Sequence, residues 1–254
     1  MGRIVSVANQ KGGVGKTTTA LNLSATLAAA EKKTLLVDLD PQGNSTSGLG
    51  IDKNTLPATV YEVLLGTKRI KEVTQKTALV YLDLVPANTK LFGAEVELVD
   101  IQNRERILRH SLEEIKGTYE YILVDCPPSL TLLTINALAA ADSILIPIQC
   151  EYYAMEGLGQ LLHTIQLTRD TLNPCLEIEG ILFTMFDGRN NLSHQVAEEV
   201  KKHFPKKVFQ TVIPRNIKLS ESPSHGKPVI LYDIGCKGSE SYLELAKEFL
   251  CSYS

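Results

Sequence analysis

A glycine- and lysine-rich run near the start of the chain, KGGVGKTT at residues 11–18, constrains the fold more than any other segment. It follows a short apolar stretch at residues 4–8 and precedes a segment with helical spacing that extends to residue 30. Such a strand–loop–helix arrangement points backbone N–H groups at an anion and places the positive end of the helix beside it. The run therefore predicts a phosphate-binding loop in which Lys16 contacts the β- and γ-phosphates and the Thr17 hydroxyl holds Mg²⁺.

The loop contains one lysine more than phosphate binding requires, because Lys16 already fills that role. The extra residue is Lys11, and the glycine spacing also departs from the common form. That form has a glycine where this chain has Gln10. The run resembles the deviant Walker A motif, KGGxGKT, and this resemblance implies that Lys11 contacts a partner subunit's nucleotide across a dimer interface.

Short apolar runs alternate with segments of helical spacing, as in a parallel sheet covered on both faces. The runs predict strands at residues 4–8, 34–38, 121–125, 143–147, 179–183 and 208–213, with an edge strand of either direction at 80–85. The other segments predict helices at residues 20–30, 101–115, 130–141, 155–172, 193–203 and 238–250. We therefore expect an α/β fold with a doubly wound, mostly parallel sheet of the P-loop NTPase type, in a single domain over residues 1–254. Residues 43–57 and 215–227 are the segments expected to be flexible.

Charge is unevenly distributed along the chain. The 254 residues carry a net charge of −3, yet residues 201–220 contain six Lys or Arg and no Asp or Glu. The rest of the chain therefore carries −9. A basic segment on an acidic molecule predicts a local contact with a polyanion, although lysines at 201–207 could equally form a solvated helix face.

Cysteine and histidine usage excludes several classes of protein. The five cysteines include no Cys-x-x-Cys pair, and the five histidines have no metal-ligand spacing, so neither a disulfide framework nor a zinc site is expected. The N-terminal residues lead directly into a predicted strand, without the pattern of a signal peptide. No apolar run approaches the ~18 residues of a membrane span. These features predict a cytoplasmic protein.

Aspartates follow two of the predicted strands, at the sheet edge where ligands of open α/β sheets bind. Asp38 and Asp40 follow the second strand, and Asp125 ends the strand YILVD. Asp125 resembles a Walker B aspartate, which holds Mg²⁺. Asp40 is the residue predicted to position the attacking water, because an ordinary aspartate, with a pKa near ~3.9, is a poor base at neutral pH. No glutamate follows Asp125, so we expect slow basal turnover.

Six segments together resemble the ParA/Soj family of chromosome- and plasmid-partitioning ATPases, within the MinD/ParA group: residues 11–19, 37–49, 125–136, 149–158, 184–191 and 213–228. The resemblance implies an enzyme that hydrolyses ATP with Mg²⁺. It implies a homodimer that forms with ATP, binds double-stranded DNA without sequence preference and is released after hydrolysis stimulated by a ParB-like activator protein. It implies a nucleoid-associated protein without a membrane anchor.

The motifs and the resemblance together predict individual site residues. The catalytic residues are Lys11, Lys16 and Asp40, and the metal site is formed by Thr17, Asp40 and Asp125. The nucleotide contacts are Lys11, Gly12, Gly13, Val14, Gly15, Lys16, Thr17, Thr18, Pro214, Arg215 and Asn216. The DNA contacts are Arg189 and Lys218, the latter at a position where many relatives have arginine.

Three other functions compete with this interpretation. A MinD-like membrane-associated regulator of the division site needs a basic amphipathic C-terminal helix, whereas residues 238–250 hold three glutamates and one lysine. An iron–sulfur relative needs paired cysteines that bridge two subunits, and Cys126 is the only cysteine near the predicted site. A metabolic P-loop ligase leaves Lys11 and the basic segment unexplained.

Overall fold

The computed structural model describes residues 2–251 as one seven-stranded sheet with helices on both faces. The strands are β1 (Arg3–Val7), β2 (Thr34–Asp38), β3 (Gln75–Lys76), β4 (Leu82–Val85), β5 (Tyr121–Asp125), β6 (Ser143–Gln149) and β7 (Glu177–Thr184). Their order across the sheet is β3-β4-β2-β5-β1-β6-β7. The edge strand β3 is antiparallel to β4, and the other pairs are parallel. The predicted doubly wound, mostly parallel α/β fold is confirmed.

The helices cover both faces of the sheet and differ widely in length. They are α1 (Lys16–Ala29), α2 (Asn44–Gly48), α3 (Val60–Leu64), α4 (Ile70–Val73), α5 (Leu91–Glu97), α6 (Ile107–Glu113), α7 (Leu132–Ala140), α8 (Ala154–Thr171), α9 (Asn191–His203), α10 (Ile217–Glu221), α11 (Val229–Tyr232) and α12 (Lys237–Cys251). Short 3₁₀ turns at Arg104–Arg106, Lys116–Thr118 and Ser222–His225 complete the helical structure.

The strands are apolar on both faces because each face meets a separate hydrophobic core. Ile4 of β1 packs with α3 to α9 on one face, and its neighbour Val5 packs with α1 and α12 on the other. The same alternation holds in β5, where Ile122 and Leu123 enter opposite cores. Near-continuous apolar strands of this kind are typical of a sheet buried on both sides.

The strand register brings the predicted functional segments into one row. Asp125 at the end of β5 pairs with Asp38 of β2 on one side and with Val7 of β1 on the other. The loops that follow these three strands therefore leave the same edge of the sheet side by side. This is the edge at which open α/β sheets bind ligands.

The predicted strand at residues 208–213 is wrong. Val208 forms an isolated bridge with Ile181 of β7, and the backbone N–H groups of Phe209 and Ile213 donate to β7 carbonyls, but these contacts do not form a continuous ladder. The backbone N–H groups of Gln210 and Thr211 donate to the Glu248 carboxylate of α12, at 2.6 and 2.9 Å, and are therefore unavailable to a strand ladder.

Other predicted elements differ in their bounds. The run at 80–85 forms β4 only from Leu82 onward, and β3 lies outside it at the sheet edge. The helix predicted over 101–115 is confined to a 3₁₀ turn and α6. The two segments expected to be flexible contain α2, which Asp38 holds through Thr46, and α10, whose start is capped by Asn216.

Candidate functional site

The loop between β1 and α1 leaves the start of a long helix open to an anion. Gly13 and Gly15 adopt positive φ angles of 74° and 83°, a left-handed conformation that favours glycine. No side chain caps the N-terminus of α1, and its first turn contains no acidic residue. The first backbone N–H groups of the helix are therefore available, together with the positive end of its dipole.

The two lysines of the loop point to different places. The ammonium of Lys16 is buried and donates to the backbone carbonyl of Lys11 at 2.9 Å. Burial lowers the pKa of Lys16, and the negative charges of Asp125 and Asp40 oppose that effect. Lys11, in contrast, extends sideways to an ion pair with the Glu151 carboxylate, just before α8. Of the two lysines, only Lys16 lines the cleft described below.

Asp125 lies fully buried beneath the loop. The hydroxyl of Ser45 in α2 donates to its Oδ2 atom at 2.8 Å, and Oδ1 has no hydrogen-bond partner among residues 2–251. Burial raises the pKa of Asp125, as does the charge of Asp38, while hydrogen bonding by Ser45 and then Thr17 counteracts the shift. A buried carboxylate oxygen without a partner is costly unless a cation or a water completes its environment.

The two aspartates after β2 have different surroundings. Asp38 accepts hydrogen bonds at Oδ2 from the backbone N–H and the hydroxyl of Thr46, at 2.8 and 2.7 Å. Asp38 therefore fixes the start of α2, and these two hydrogen bonds occupy its Oδ2 atom. Asp40 lies at the cleft wall, and its Oδ1 accepts only from the backbone N–H of Gln42, at 2.8 Å. Asp40 retains lone pairs that can orient a water molecule.

A cleft of about 760 Å³ opens above the loop. Most of the predicted nucleotide contacts line it: Gly13, Gly15, Lys16, Thr17, Thr18, Pro214, Arg215 and Asn216. Asp40 lines the same cleft, and Asp125 is buried below it. Lys11 and Gly12 lie outside its lining, and Val14 is buried, with its carbonyl accepting from the Thr184 hydroxyl at 2.8 Å.

These donors fit a magnesium ion held mainly through phosphates. Residues 2–251 contain no cluster of three or more His, Cys, Asp or Glu side chains arranged for a metal. The donors that are present are the Thr17 hydroxyl, the open side of Asp40 and the unpartnered Oδ1 of Asp125. Magnesium bound with phosphates characteristically uses one or two carboxylates and keeps several waters, so this set is sufficient.

The two predicted DNA contacts lie on segments that adjoin the cleft. Arg189 is almost fully exposed and forms a bidentate ion pair with Asp187, with both distances at 3.0 Å. The turn that contains it lies beside the cleft segment, because the backbone N–H of Phe186 donates to the Ile213 carbonyl at 3.1 Å. Lys218 lies in the first turn of α10, where it pairs with Glu221 at 3.0 Å.

Several residues that organise the site were not predicted from the sequence. Ser45, Thr46 and Thr184 each tie a loop to the carboxylates or to the phosphate loop. Isolated hydroxyl residues carry no spacing signal, and their partners are distant in sequence. Glu151 lay within a segment that resembles the family, but nothing in the sequence connected it with Lys11.

The fold and the cleft define a P-loop nucleotide-binding protein, and comparison with known proteins agrees. A family model described as "AAA domain" matches residues 2–178. The chain is 60% identical over 250 residues to "Chromosome partitioning protein ParA" of Myxococcus xanthus, covering 98% of this chain and 88% of that protein. It is 57% identical over 248 residues to "Sporulation initiation inhibitor protein Soj" of Bacillus subtilis, covering 98% of both. The chain belongs to the ParA/Soj family of chromosome-partitioning ATPases.

Solved structures agree with this fold. A structure described as cobyrinic acid a,c-diamide synthase from Mycobacterium smegmatis, with a bound ATP analogue and magnesium, has a TM-score of 0.88 at 38% identity. It covers 100% of this chain and 96% of that one. The cell division ATPase MinD of Pyrococcus furiosus has a TM-score of 0.81 at 26% identity, with 99% and 100% covered. Within residues 2–251, no helix has both the length and the apolar character to cross a membrane.

Proposed function

We propose that the chain is a DNA-segregation ATPase whose two copies close over two molecules of ATP·Mg²⁺. The paired form binds double-stranded DNA without sequence preference and thereby collects on the nucleoid. A ParB-like activator stimulates hydrolysis and so releases the protein from DNA. The proposal depends on the positions of the two loop lysines: Lys16 lies inside the cleft, whereas Lys11 pairs with Glu151 outside it.

Binding of ATP is assigned to the cleft. Lys16 and the N-terminal N–H groups of α1 contact the phosphates, and residues 214–216 border the adenine end. Thr17, Asp40 and Asp125 hold the magnesium ion, which neutralises charge on the β- and γ-phosphates. Asp40 orients the attacking water through its free lone pairs. The buried ammonium of Lys16 stabilises the charge that develops on the transferred phosphoryl oxygens.

Pairing of two copies is assigned to Lys11 and Gly12. Lys11 is held outside its own cleft by an exposed ion pair, which is worth only ~0–1 kcal/mol, so a phosphate group of a second copy can displace Glu151. A Cβ atom on Gly12 would meet only Pro128 Cβ, at 3.8 Å, which is an ordinary contact. Among residues 2–251 of one copy, nothing therefore requires glycine at this position, whereas the close approach of two phosphate loops does.

DNA binding is assigned to Arg189, Lys218 and the exposed lysines at 201–207. The Arg189 turn and α10 both adjoin the segment that borders the nucleotide, so occupancy of the cleft and the position of these cations are physically linked. Contacts to phosphates carry no sequence information, and they make affinity strongly dependent on salt.

A MinD-like membrane switch is the second candidate, and the packing of α12 argues against it. The apolar face of this helix is already buried, with Tyr242 packed against α1 and Phe249 against Tyr121 of β5. An interfacial helix needs that face for lipid. The iron–sulfur alternative also lacks support, because Cys126 is fully buried.

The test is DNA binding measured at several salt concentrations with ADP, with ATP and with a non-hydrolysable ATP analogue. We expect tight binding with the analogue, weak binding with ADP and a steep loss of affinity as salt rises. Equal affinity in all nucleotide states would contradict the proposed switch.

A further inference from the structure

An apolar helix face lies exposed beside the nucleotide cleft. Phe92 and Val96 of α5 and Val99 just after it are 58%, 75% and 55% exposed. Their spacing of four and three residues places them on one side of the helix, while Leu91 and Ala94 on the other side are buried in the core. We name this exposed set of three residues the α5 face.

A small cavity connects the α5 face with both catalytic loops. It has a volume of about 220 Å³ and is lined on one side by Leu91, Phe92 and Glu95. Its other walls are residues 40–42, which follow β2, and residues 127–129, which follow Asp125. A side chain inserted here would contact the segment that holds Asp40 and the segment next to Asp125 at the same time.

The α5 face has acidic surroundings. Residues 90–104 contain Glu95, Glu97 and Asp100, against two cations that already pair with other acids: Lys90 with Glu62, and Arg104, which also donates to the Val99 carbonyl, with Glu105. Glu97 accepts a hydrogen bond from the Tyr61 hydroxyl at 2.9 Å, which holds its carboxylate beside the apolar strip. An apolar strip with acidic flanks is complementary to a segment that has apolar anchors and basic residues between them.

We propose that the α5 face is the docking site for a basic segment of a partner protein, whose apolar side chain fills the cavity and stimulates ATP hydrolysis. This inference rests on the proposed function, because it names the surface through which the activator acts. A second copy of the chain fits this surface less well. An isologous contact centred on the α5 face would set its three acidic residues against the same three residues.

The cavity offers a direct route from docking to catalysis. The backbone N–H of Gln42, in the cavity wall, donates to Asp40 Oδ1 at 2.8 Å. A partner side chain that packs against this wall restricts the loop and, through that hydrogen bond, the carboxylate. The partner's side chain thus acts on the attacking water only through Asp40, whereas Phe92 and Val96 supply the surface that binds the partner.

The experiment uses a labelled synthetic 15-residue amphipathic peptide with leucine at every third or fourth position and lysine or arginine between. Its affinity for the nucleotide-free protein is measured by fluorescence anisotropy, and its effect on ATP turnover is measured separately. The variants are Phe92→Ser and Val96→Ser. The matched control is Val80→Ser, an exposed apolar residue (88%) between β3 and β4, remote from the α5 face.

We expect the wild type and Val80→Ser to bind the peptide equally and to turn over ATP faster with it. Phe92→Ser and Val96→Ser should each bind about tenfold more weakly, as for central residues of an interface, with basal turnover intact. A double variant, Glu95→Gln with Asp100→Asn, should show a shallower dependence of affinity on salt.

Two results would overturn the inference. The first is unchanged peptide affinity in Phe92→Ser. The second is loss of ATP-dependent pairing in that variant, because the α5 face would then be part of the contact between copies. Peptide binding is measured without nucleotide. Its outcome is therefore separate from the proposed function, which fails instead if the wild type neither pairs nor binds DNA with ATP.

Discussion

The cleft and the surface proposed to bind DNA present charged groups in opposite ways. In the cleft, Lys16 and Asp125 are buried, and each is held by a hydrogen bond, from Lys16 to the Lys11 carbonyl and from the Ser45 hydroxyl to Asp125. On the surface, Arg189 and Lys218 reach solvent and pair with neighbouring acids, Asp187 and Glu221. Buried groups are organised before the ligand arrives, whereas exposed groups must exchange one partner for another. We therefore expect large, specific effects from changes in the cleft and small, salt-dependent effects from changes at the surface.

The largest effect is expected for Lys16→Ala. This change removes the buried ammonium that faces the phosphates, and ATP turnover should fall by about a thousandfold, as for the loss of a preorganised electrostatic donor. Nucleotide affinity measured by calorimetry should fall with it, while the circular dichroism spectrum stays native. Turnover within tenfold of the wild type would exclude the assigned role.

Asp40→Ala should slow turnover by about a hundredfold, because the attacking water loses its acceptor. Nucleotide binding should persist, since Lys16 and the α1 N-terminus remain in place.

Asp38→Asn is an informative companion variant. Asp38 is occupied by Thr46, so that change should lower thermal stability rather than act on the chemical step. If the two variants slowed turnover equally, the assignment of a catalytic role to Asp40 and a structural role to Asp38 would be wrong.

Asp125 gives a prediction about stability and pH. Burial raises the pKa of Asp125 in the folded protein, so the native state holds a proton that the unfolded chain has released. The free energy of unfolding of the nucleotide-free protein should therefore fall as pH rises above the pKa of an unfolded aspartate, by up to about 1.4 kcal/mol per pH unit. Asp125→Asn should flatten that decline in urea titrations between pH 5 and pH 7. An identical slope in the variant would mean that Asp125 is already ionised.

Arg189→Ala should weaken DNA binding by about tenfold at low salt and reduce the salt slope by about one, which corresponds to one lost phosphate contact. Stability should not change, because the Arg189 side chain is 91% exposed. Arg69→Ala is the matched control, since Arg69 is also exposed and paired with a neighbouring acid, Glu72, but lies elsewhere. Equal losses in both variants would indicate a general effect of net charge.

The smallest effect is expected for Glu151→Gln, which releases Lys11 from its ion pair. Exposed pairs contribute about 0–1 kcal/mol, so ATP-dependent pairing should tighten by no more than about fivefold. Sedimentation across a range of protein concentrations measures this change. Weaker pairing in Glu151→Gln would show that the carboxylate helps to place Lys11 instead of competing for it.

The sequence predicted the parts of this molecule whose signals are local. Buried strands such as β2 and β5 are continuous apolar runs, and the phosphate loop has fixed glycine positions, so both were identified correctly. Residues 208–213 are also largely apolar, but the N–H groups of Gln210 and Thr211 in the middle of the segment donate to Glu248, which is distant in sequence. The short helices α3, α4 and α5 are stabilised by packing on the sheet rather than by their own pattern, and were missed for that reason.

The same distinction applies to the site. Lys16, Thr17 and the strand-end aspartates were predicted because their roles follow from position in a motif. Their supports were not, because Ser45 contacts Asp125 and Glu151 contacts Lys11 only after the sheet has assembled. Assignment of Arg189 and Lys218 to DNA rested on resemblance, since exposed cations alone do not specify a ligand.

The central claim is that Lys11 of each copy contacts the nucleotide of the other copy. Its most direct test is the mass of the protein in solution, measured by light scattering with saturating ATP. The Asp40→Ala variant, which retains ATP, should have twice the mass of one chain. Adding Gly12→Val to it should restore the mass of a single chain, although within one copy a Cβ atom at this position meets only Pro128 Cβ of the described residues, at 3.8 Å. A single-chain mass for Asp40→Ala under saturating ATP would contradict the account.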